Sequence, residues 1–278
     1  MAFAPVIALL GRLISLFAGA MLAPALCALV YSEFQAAGIF AGSAAVTLFF
    51  GGGMIFATQG TEKRLRAGGD FLLIVIVWPI IAVFAAAPLL LVGAVETPTD
   101  AFFEAFSGLT TTGATVMSGL DDQLRSVLFW RAWLQWLGGL AAIIMAVSVL
   151  PMLSAGGMQM FRSAMPHGDH ATIVDRVLRS GLTLSWIYAL LTLICAIALW
   201  LAGMNGFDAI AYAFSTISSG GFTPHDGVIG DFGNPIIESV IMIFMVVGVI
   251  NFTLYWALLH GRPSVFHLDD ECRLLYLI

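Results

Sequence analysis

Long apolar runs alternate with short polar connectors along this chain, and the runs are the length of membrane-crossing helices. They cover residues 6–31, 36–58, about 71–95, 126–153, 176–203 and 234–260. About 20 apolar residues in a helix match the ~30 Å hydrocarbon core of a bilayer. The first run carries only Arg12 near its start. It is too long for a cleavable signal peptide, has no basic stretch before its apolar core and is followed at once by another run, so both are expected to be retained. Pro79 and Pro88 fall inside the third run, where prolines kink a membrane helix without ending it. The chain closes on Leu-Leu-Tyr-Leu-Ile, residues 274–278, which reads as the first turn of a further span.

Two intervals break the rhythm, and they repeat each other. Residues 100–115, Asp-Ala-Phe-Phe-Glu-Ala-Phe-Ser-Gly-Leu-Thr-Thr-Thr-Gly-Ala-Thr, fall without a gap on residues 208–223 when shifted by 108 positions. Asp100 then meets Asp208, Phe106 meets Phe214, Ser107 meets Ser215, Gly113 meets Gly221 and Thr115 meets Thr223. Each copy offers about ten helix-compatible residues, roughly 15 Å, which is half a bilayer. Small and hydroxyl residues around glycine follow. Irregular backbone at membrane depth is tolerated only where protein buries it or where it lines a wet cavity, so the pair reads as two re-entrant pore loops.

A dehydrated monovalent cation needs several oxygen ligands. Backbone carbonyls supply them where consecutive residues alternate in backbone conformation, with glycine at the turning point. Thr111, Thr112 and Gly113 in the first copy meet that demand, as do Ser218, Ser219, Gly220 and Gly221 in the second. Asp100 and Asp208 sit where N-caps of the half-helices are expected and are read as caps rather than ion ligands. The C-terminal ends then point at the loop, and their partial negative charge favours a cation.

Composition fixes the solvent. Hydrophobic residues make up 60% and charged residues 10% of the chain, with a mean hydropathy of +0.98, whereas about a quarter of a soluble domain is charged. The fold class is therefore an all-α polytopic membrane protein. The net charge of −6 matters only by location: of the 11 basic residues, Lys63, Arg64, Arg66, Arg162, Arg176, Arg179, Arg262 and Arg273 lie in the connectors 59–70, 154–179 and 261–273. The positive-inside rule makes those connectors cytoplasmic and brings the pore loops in from outside. The outer side carries Glu96, Asp100, Glu104, Asp121, Asp122, Asp208, Asp226 and Asp231, which either concentrate cations at a mouth or are solvated loop charge.

Other chemistry is sparse. No basic cluster suits nucleic acid. Cys27, Cys195 and Cys272 are isolated and are expected to be packing residues. His167, Asp169 and His170 form a solvated connector cluster without a third ligand for a metal, so no enzyme is expected. Arg131 and Gln135 are too polar for lipid and should face protein or the pore mouth. Asn251 either faces the pore or bonds between helices.

With these residues in view, the chain resembles the Trk/Ktr/HKT superfamily of potassium and sodium transporters, and its TrkH-type branch in particular. The most specific stretches are Phe-Ser-Gly-Leu-Thr-Thr-Thr-Gly-Ala-Thr at 106–115, Arg-Ala-Trp-Leu-Gln-Trp-Leu-Gly-Gly at 131–139, Val-Leu-Pro-Met-Leu-Ser-Ala-Gly-Gly-Met-Gln at 149–159 and Phe-Ser-Thr-Ile-Ser-Ser-Gly-Gly-Phe-Thr-Pro-His-Asp at 214–226. The resemblance implies four span, pore-helix, span units around a pore, preceded by two extra helices. It puts a key filter glycine at Gly113 and at Gly221, with Gly220 as rival, and K+ on Thr111, Thr112, Gly113, Ser219, Gly220 and Gly221. Glycine at these positions goes with potassium in this superfamily. It also implies a bound K+ ion and no organic cofactor, surrounding membrane lipid, a homodimer, a cytoplasmic nucleotide-binding regulatory subunit (TrkA-like), and a multi-pass place in the cell (inner) membrane.

The organisation expected on this basis is two N-terminal helices in 1–60 and a first pore unit in 61–160, with pore helix 100–110 and filter 111–115. A second unit follows in 161–262, with pore helix 208–217 and filter 218–223, then a linker and the start of a third unit in 263–278. Two of the family's four units are thus present, and two loops do not ring an ion alone. The chain is expected to be the N-terminal part of a longer protein, or else to pair with a second half or a second copy. The expected function is potassium uptake; the alternative is a non-conducting membrane scaffold or assembly subunit.

Overall fold

The computed structural model describes residues 3–60, 69–153, 172–250 and 252–259. Lys63, Arg64, Arg66, Arg162, His167, Asp169, His170, Asn251, Arg262, Cys272, Arg273 and the run 274–278 lie outside them. Among the described residues every long element is a helix, as the apolar runs demand. The helices are grouped in two compact units, Met1–Gln135 with Gly221–Val228, and Trp136–Gly220 with Ile229–Ile278.

In the first unit the opening run is interrupted at one residue. Helix α1 (Ala4–Ala20) gives way at Met21 to α2 (Leu22–Val30). Pro24 has no N–H for the carbonyl four residues back, and that carbonyl, Ala20 O, accepts from the indole Nε1 of Trp133 at 3.1 Å instead. A turn with Ser32 at φ +61° leads into α3 (Phe34–Ala57). Helices α1 and α3 approach through Gly11 and Gly51, where a Cβ on either would lie 2.8 Å from the other's carbonyl oxygen. Small residues at such a crossing let two membrane helices touch backbone to backbone.

Helix α4 (Gly69–Leu91) continues through both Pro79 and Pro88, as expected of a membrane helix. Its Leu73 packs with Val6, Leu10 and Ile14 of α1. The half-helix α5 (Pro98–Leu109) follows, then the start of α6 (Arg125–Leu153). Trp130 of α6 is fully buried, with ring centroids 5.8 Å from both Phe17 and Phe40 and its Nε1 donating to Ala85 O at 3.1 Å. The carboxylate of Glu33 accepts from the backbone N–H groups of Arg125 at 2.7 Å and Ser126 at 3.1 Å. A negative group thus closes the free, partly positive N-terminus of α6 from the turn before α3.

The second unit holds the rest of α6, α7 (Thr172–Leu201), the half-helix α8 (Gly206–Ile217), α9 (Pro235–Val249) and α10 (Phe252–Leu259). Trp136 packs against Tyr188 and Phe214 at centroid distances of 5.2 and 5.7 Å, in a core that includes Cys195, Leu199 and Ile217. Cys195 is a buried packing residue, as expected, while Cys27 is half-buried; both are free thiols. The run 234–260, expected as one span, is broken: α9 ends at Val249 and Ile250 is extended, at ψ 138°. Two contacts accompany the break. A Cβ on Gly248 would lie 2.6 Å from Ile217 O, and the Tyr255 hydroxyl donates to Val247 O at 2.7 Å, satisfying a carbonyl of the last turn that the helix end leaves open.

Ala4–Val30, Phe34–Ala57, Arg125–Met145 and Gly181–Leu201 are long and apolar enough to cross a membrane, and Val75–Leu91 and Pro235–Val249 are shorter apolar helices. Leu16, Phe49, Trp186 and Leu201 are exposed. Such outward apolar faces suit lipid as the solvent.

Candidate ion-conduction site

The two half-helices are built alike from the first residue to the last. Thr97 is the N-cap of α5: its Oγ1 accepts from the Asp100 N–H at 3.1 Å and its hydroxyl donates to the Asp100 carboxylate at 2.7 Å. In α8, Asn205 Oδ1 accepts from the Asp208 N–H at 2.9 Å and Asn205 Nδ2 donates to the Asp208 carboxylate at 2.5 Å. This corrects the reading of Asp100 and Asp208 as N-caps. They are the third helical residues, each returning the cap's hydrogen bond. The helices consequently start at Pro98 and Gly206, two residues earlier than expected. Thr97-Pro-Thr-Asp is a capping-box spacing with proline at the first helical position, so the cap was legible.

The far ends also superpose under the same shift. Thr110 and Ser218 are the C-caps. Thr111 N–H donates to Gly108 O and Thr112 N–H to Ser107 O, both at 3.0 Å; Ser219 N–H donates to Thr216 O at 3.0 Å and Gly220 N–H to Ser215 O at 2.8 Å. Each pair is a complete Schellman ending, whose left-handed residue is usually glycine. Here it is Thr111 at φ +54° and Ser219 at φ +53°. Two residues on, Gly113 lies at φ +76° and Gly221 at φ +83°. Left-handed residues therefore flank Thr112 in one copy and Gly220 in the other, which is the alternation a row of forward-facing carbonyls needs. Side chains brace the first copy: Ser107 donates to Ala114 O at 2.6 Å, and the Thr110 and Thr112 hydroxyls are 2.8 Å apart. Ser218, included among the candidates, falls on Thr110 and caps the helix; its hydroxyl donates to Phe214 O at 2.8 Å.

A buried ion pair stands beside the residues that follow the glycines. Arg131 Nε donates to Glu104 Oε1 at 2.7 Å, with the two side chains 2% and 0% exposed. Glu104 was expected among the outer acids; it is instead sealed inside the first unit. Its carboxylate also accepts from the Thr115 hydroxyl at 2.9 Å and the Val116 N–H at 3.1 Å. The guanidinium further donates to Thr115 Oγ1 at 3.1 Å and to Thr223 O at 3.0 Å, and its Cζ lies 4.3 Å from the centre of the Phe222 ring. Gln135 Oε1 accepts from the Phe222 N–H at 3.1 Å. Arg131 and Gln135 do face protein. Sequence reasoning missed the partner Glu104, since 27 residues separate it from Arg131 and no local spacing announces the pair.

At the polar end of the same unit His225 Nδ1 pairs with Asp121 Oδ1 at 2.5 Å, and that hydrogen bond pulls the exposed Asp121 carboxyl below its usual value of 3.8.

Apolar spans, with two half-length helices that each end in a left-handed turn, define an all-helical polytopic membrane protein. Comparison with known proteins specifies it further. Residues 37–263 match the family model described as TrkH, cation transport protein. The chain is 40% identical over 277 residues to the Trk system potassium uptake protein TrkH of Escherichia coli, covering 99% of this chain and 57% of that protein. It is 37% identical to TrkG of the same organism, over 96% of this chain and 56% of the relative. The crystal structure of the potassium transporter TrkH from Vibrio parahaemolyticus superposes with a TM-score of 0.88 at 38% identity, covering 100% of this chain and 57% of that one. The chain belongs to the TrkH family of cation transport proteins, a family of transporters rather than enzymes. It spans a little over half the length of these relatives.

Proposed function

We propose that this chain contributes half of a potassium-conducting pore, with K+ taken up past the carbonyls of Thr111, Thr112 and Gly113 and of Ser219, Gly220 and Gly221. The observation that carries the reading is the matched pair of left-handed residues at 111 and 113 and at 219 and 221, at equivalent places of the repeat. The names of the relatives, potassium uptake proteins, favour K+ as the ion and transport over the scaffold alternative. Gly221 is preferred to Gly220 as the key glycine, because it is the one with positive φ and the one the shift pairs with Gly113. The C-terminal ends of α5 and α8 lend negative partial charge to the turns. The finer setting is the inner membrane with the pore loops facing out, a homodimer, and a nucleotide-binding subunit docking on the basic connectors.

The test is potassium rescue of an uptake-deficient cell by the complete gene. Gly113→Ser with Gly221→Ser should abolish growth at low potassium with unchanged protein in the membrane. Undiminished uptake by that double variant would remove the filter assignment.

A further inference from the structure

We infer that Arg131 is a positioning residue for ion selection: it holds the two loops in register just past their glycines, and the preference for K+ over Na+ depends on it although it touches no ion. This rests on the filter reading above. Arg131 grips the same repeat position twice, the Thr115 side-chain oxygen and the Thr223 carbonyl oxygen, and the shift of 108 places one on the other. Both residues lie two positions beyond a left-handed glycine. Three guanidinium nitrogens are committed, Nε to Glu104, Nη1 to Thr223 and Nη2 to Thr115, and Phe222 covers the cation's face. A displacement of this one group therefore moves the bases of both loops together.

Stability alone does not explain the arrangement. Replacing a buried ion pair by apolar residues is often neutral or stabilising, so burial of the pair is weak evidence for a purely stabilising part, and its bonds to Thr115 and Thr223 point to positioning. The repeat supports this, because the second copy has Tyr212 where the first has Glu104, and that ring is buried against Phe232 at a centroid distance of 5.5 Å. One guanidinium reaches both loops, held by a carboxylate that bonds the first. Selection between ions of similar radius depends on the spacing, number and field strength of the coordinating carbonyls, and so on a supporting shell that fixes the loop backbone. A planar fork with fixed donors supplies that; an ammonium of the same charge does not.

The experiment uses the complete gene in uptake-deficient cells, with Rb+ influx measured against rising Na+ and the amount of protein in the membrane measured alongside. In Arg131→Lys, Rb+ influx should persist while its resistance to Na+ competition is lost. Thr115→Val removes one guanidinium acceptor together with the hydroxyl's bond to the Glu104 carboxylate, while the Arg131–Glu104 ion pair stays, and it should lose part of that resistance. Wild-type discrimination in an Arg131→Lys protein that carries Rb+ overturns the inference. If Arg131→Lys fails to accumulate, Thr115→Val decides: wild-type discrimination there reduces the pair to a folding device. Retained uptake in the Gly113→Ser and Gly221→Ser double variant sinks the filter reading itself, whereas lost uptake there with unaltered discrimination in Arg131→Lys sinks only the role of Arg131.

Discussion

Thr111 and Ser219 occupy a backbone region that costs an L-residue roughly 1–2 kcal/mol, and they do so beside glycines that occupy it freely. Strain kept at matched positions is typical of places where backbone direction matters to function. Gly221 isolates the effect, because a Cβ there would meet nothing within 4 Å. Gly221→Ala should cost about 1 kcal/mol through φ alone, visible as a lower melting temperature in detergent. Thr111→Gly should be close to neutral, since relief of strain is offset by about 0.5–1 kcal/mol of added chain entropy. The Asp121–His225 pair has its own signature. A carboxyl held below 3.8 contributes stability above the unfolded value and loses it as pH falls through the lowered one. His225→Gln should return the Asp121 titration to the ordinary range, read by NMR or infrared spectroscopy, and the stability difference between variant and parent should vanish at the acid end.

Each half-helix is short enough that its ends decide whether it forms. Thr97→Ala and Asn205→Ala remove caps and should each cost about 1 kcal/mol, with Thr97→Ser nearly silent; thermal melts of the three variants check this. The junction between α1 and α2 offers a sharper test. Trp133→Phe strands the Ala20 carbonyl that Pro24 cannot serve, at about 1–3 kcal/mol, and adding Pro24→Ala should recover part of that loss by restoring an N–H to the same carbonyl. A double-mutant cycle with no coupling between the two would refute the link. These elements also show what a sequence discloses. The spans, the repeat and its glycines were legible because apolar period, length and self-similarity are local properties. The break at Ile250 was not, since it accompanies a contact of Gly248 with Ile217 O, a residue far away in the chain. The Glu33 cap on α6 and the Glu104–Arg131 pair were hidden for the same reason: each joins groups that only the packing of helices brings together.

At the scale of the whole molecule the decisive property is orientation, because the two proposed pore loops act as a filter for uptake only if they open outward. The sorting of charge argues that they do. The connectors between 59 and 70 and between 154 and 179 carry Lys63, Arg64, Arg66, Arg162, Arg176 and Arg179, and each basic residue in a short loop resists translocation. The turn Leu120–Asp122 between α5 and α6 is acidic instead. In a variant with Cys27, Cys195 and Cys272 replaced, Asp122→Cys offers an exposed thiol on that turn and should react in intact cells with a membrane-impermeant maleimide. Arg64→Cys, across one span, should react only after permeabilisation. The reverse pattern would turn the half-helices around, so that their negative ends and the paired left-handed turns faced the wrong compartment for uptake. Labelling of both from outside would remove the span Gly69–Leu91, and with it the alternation of spans and half-helices on which the proposed first pore loop rests.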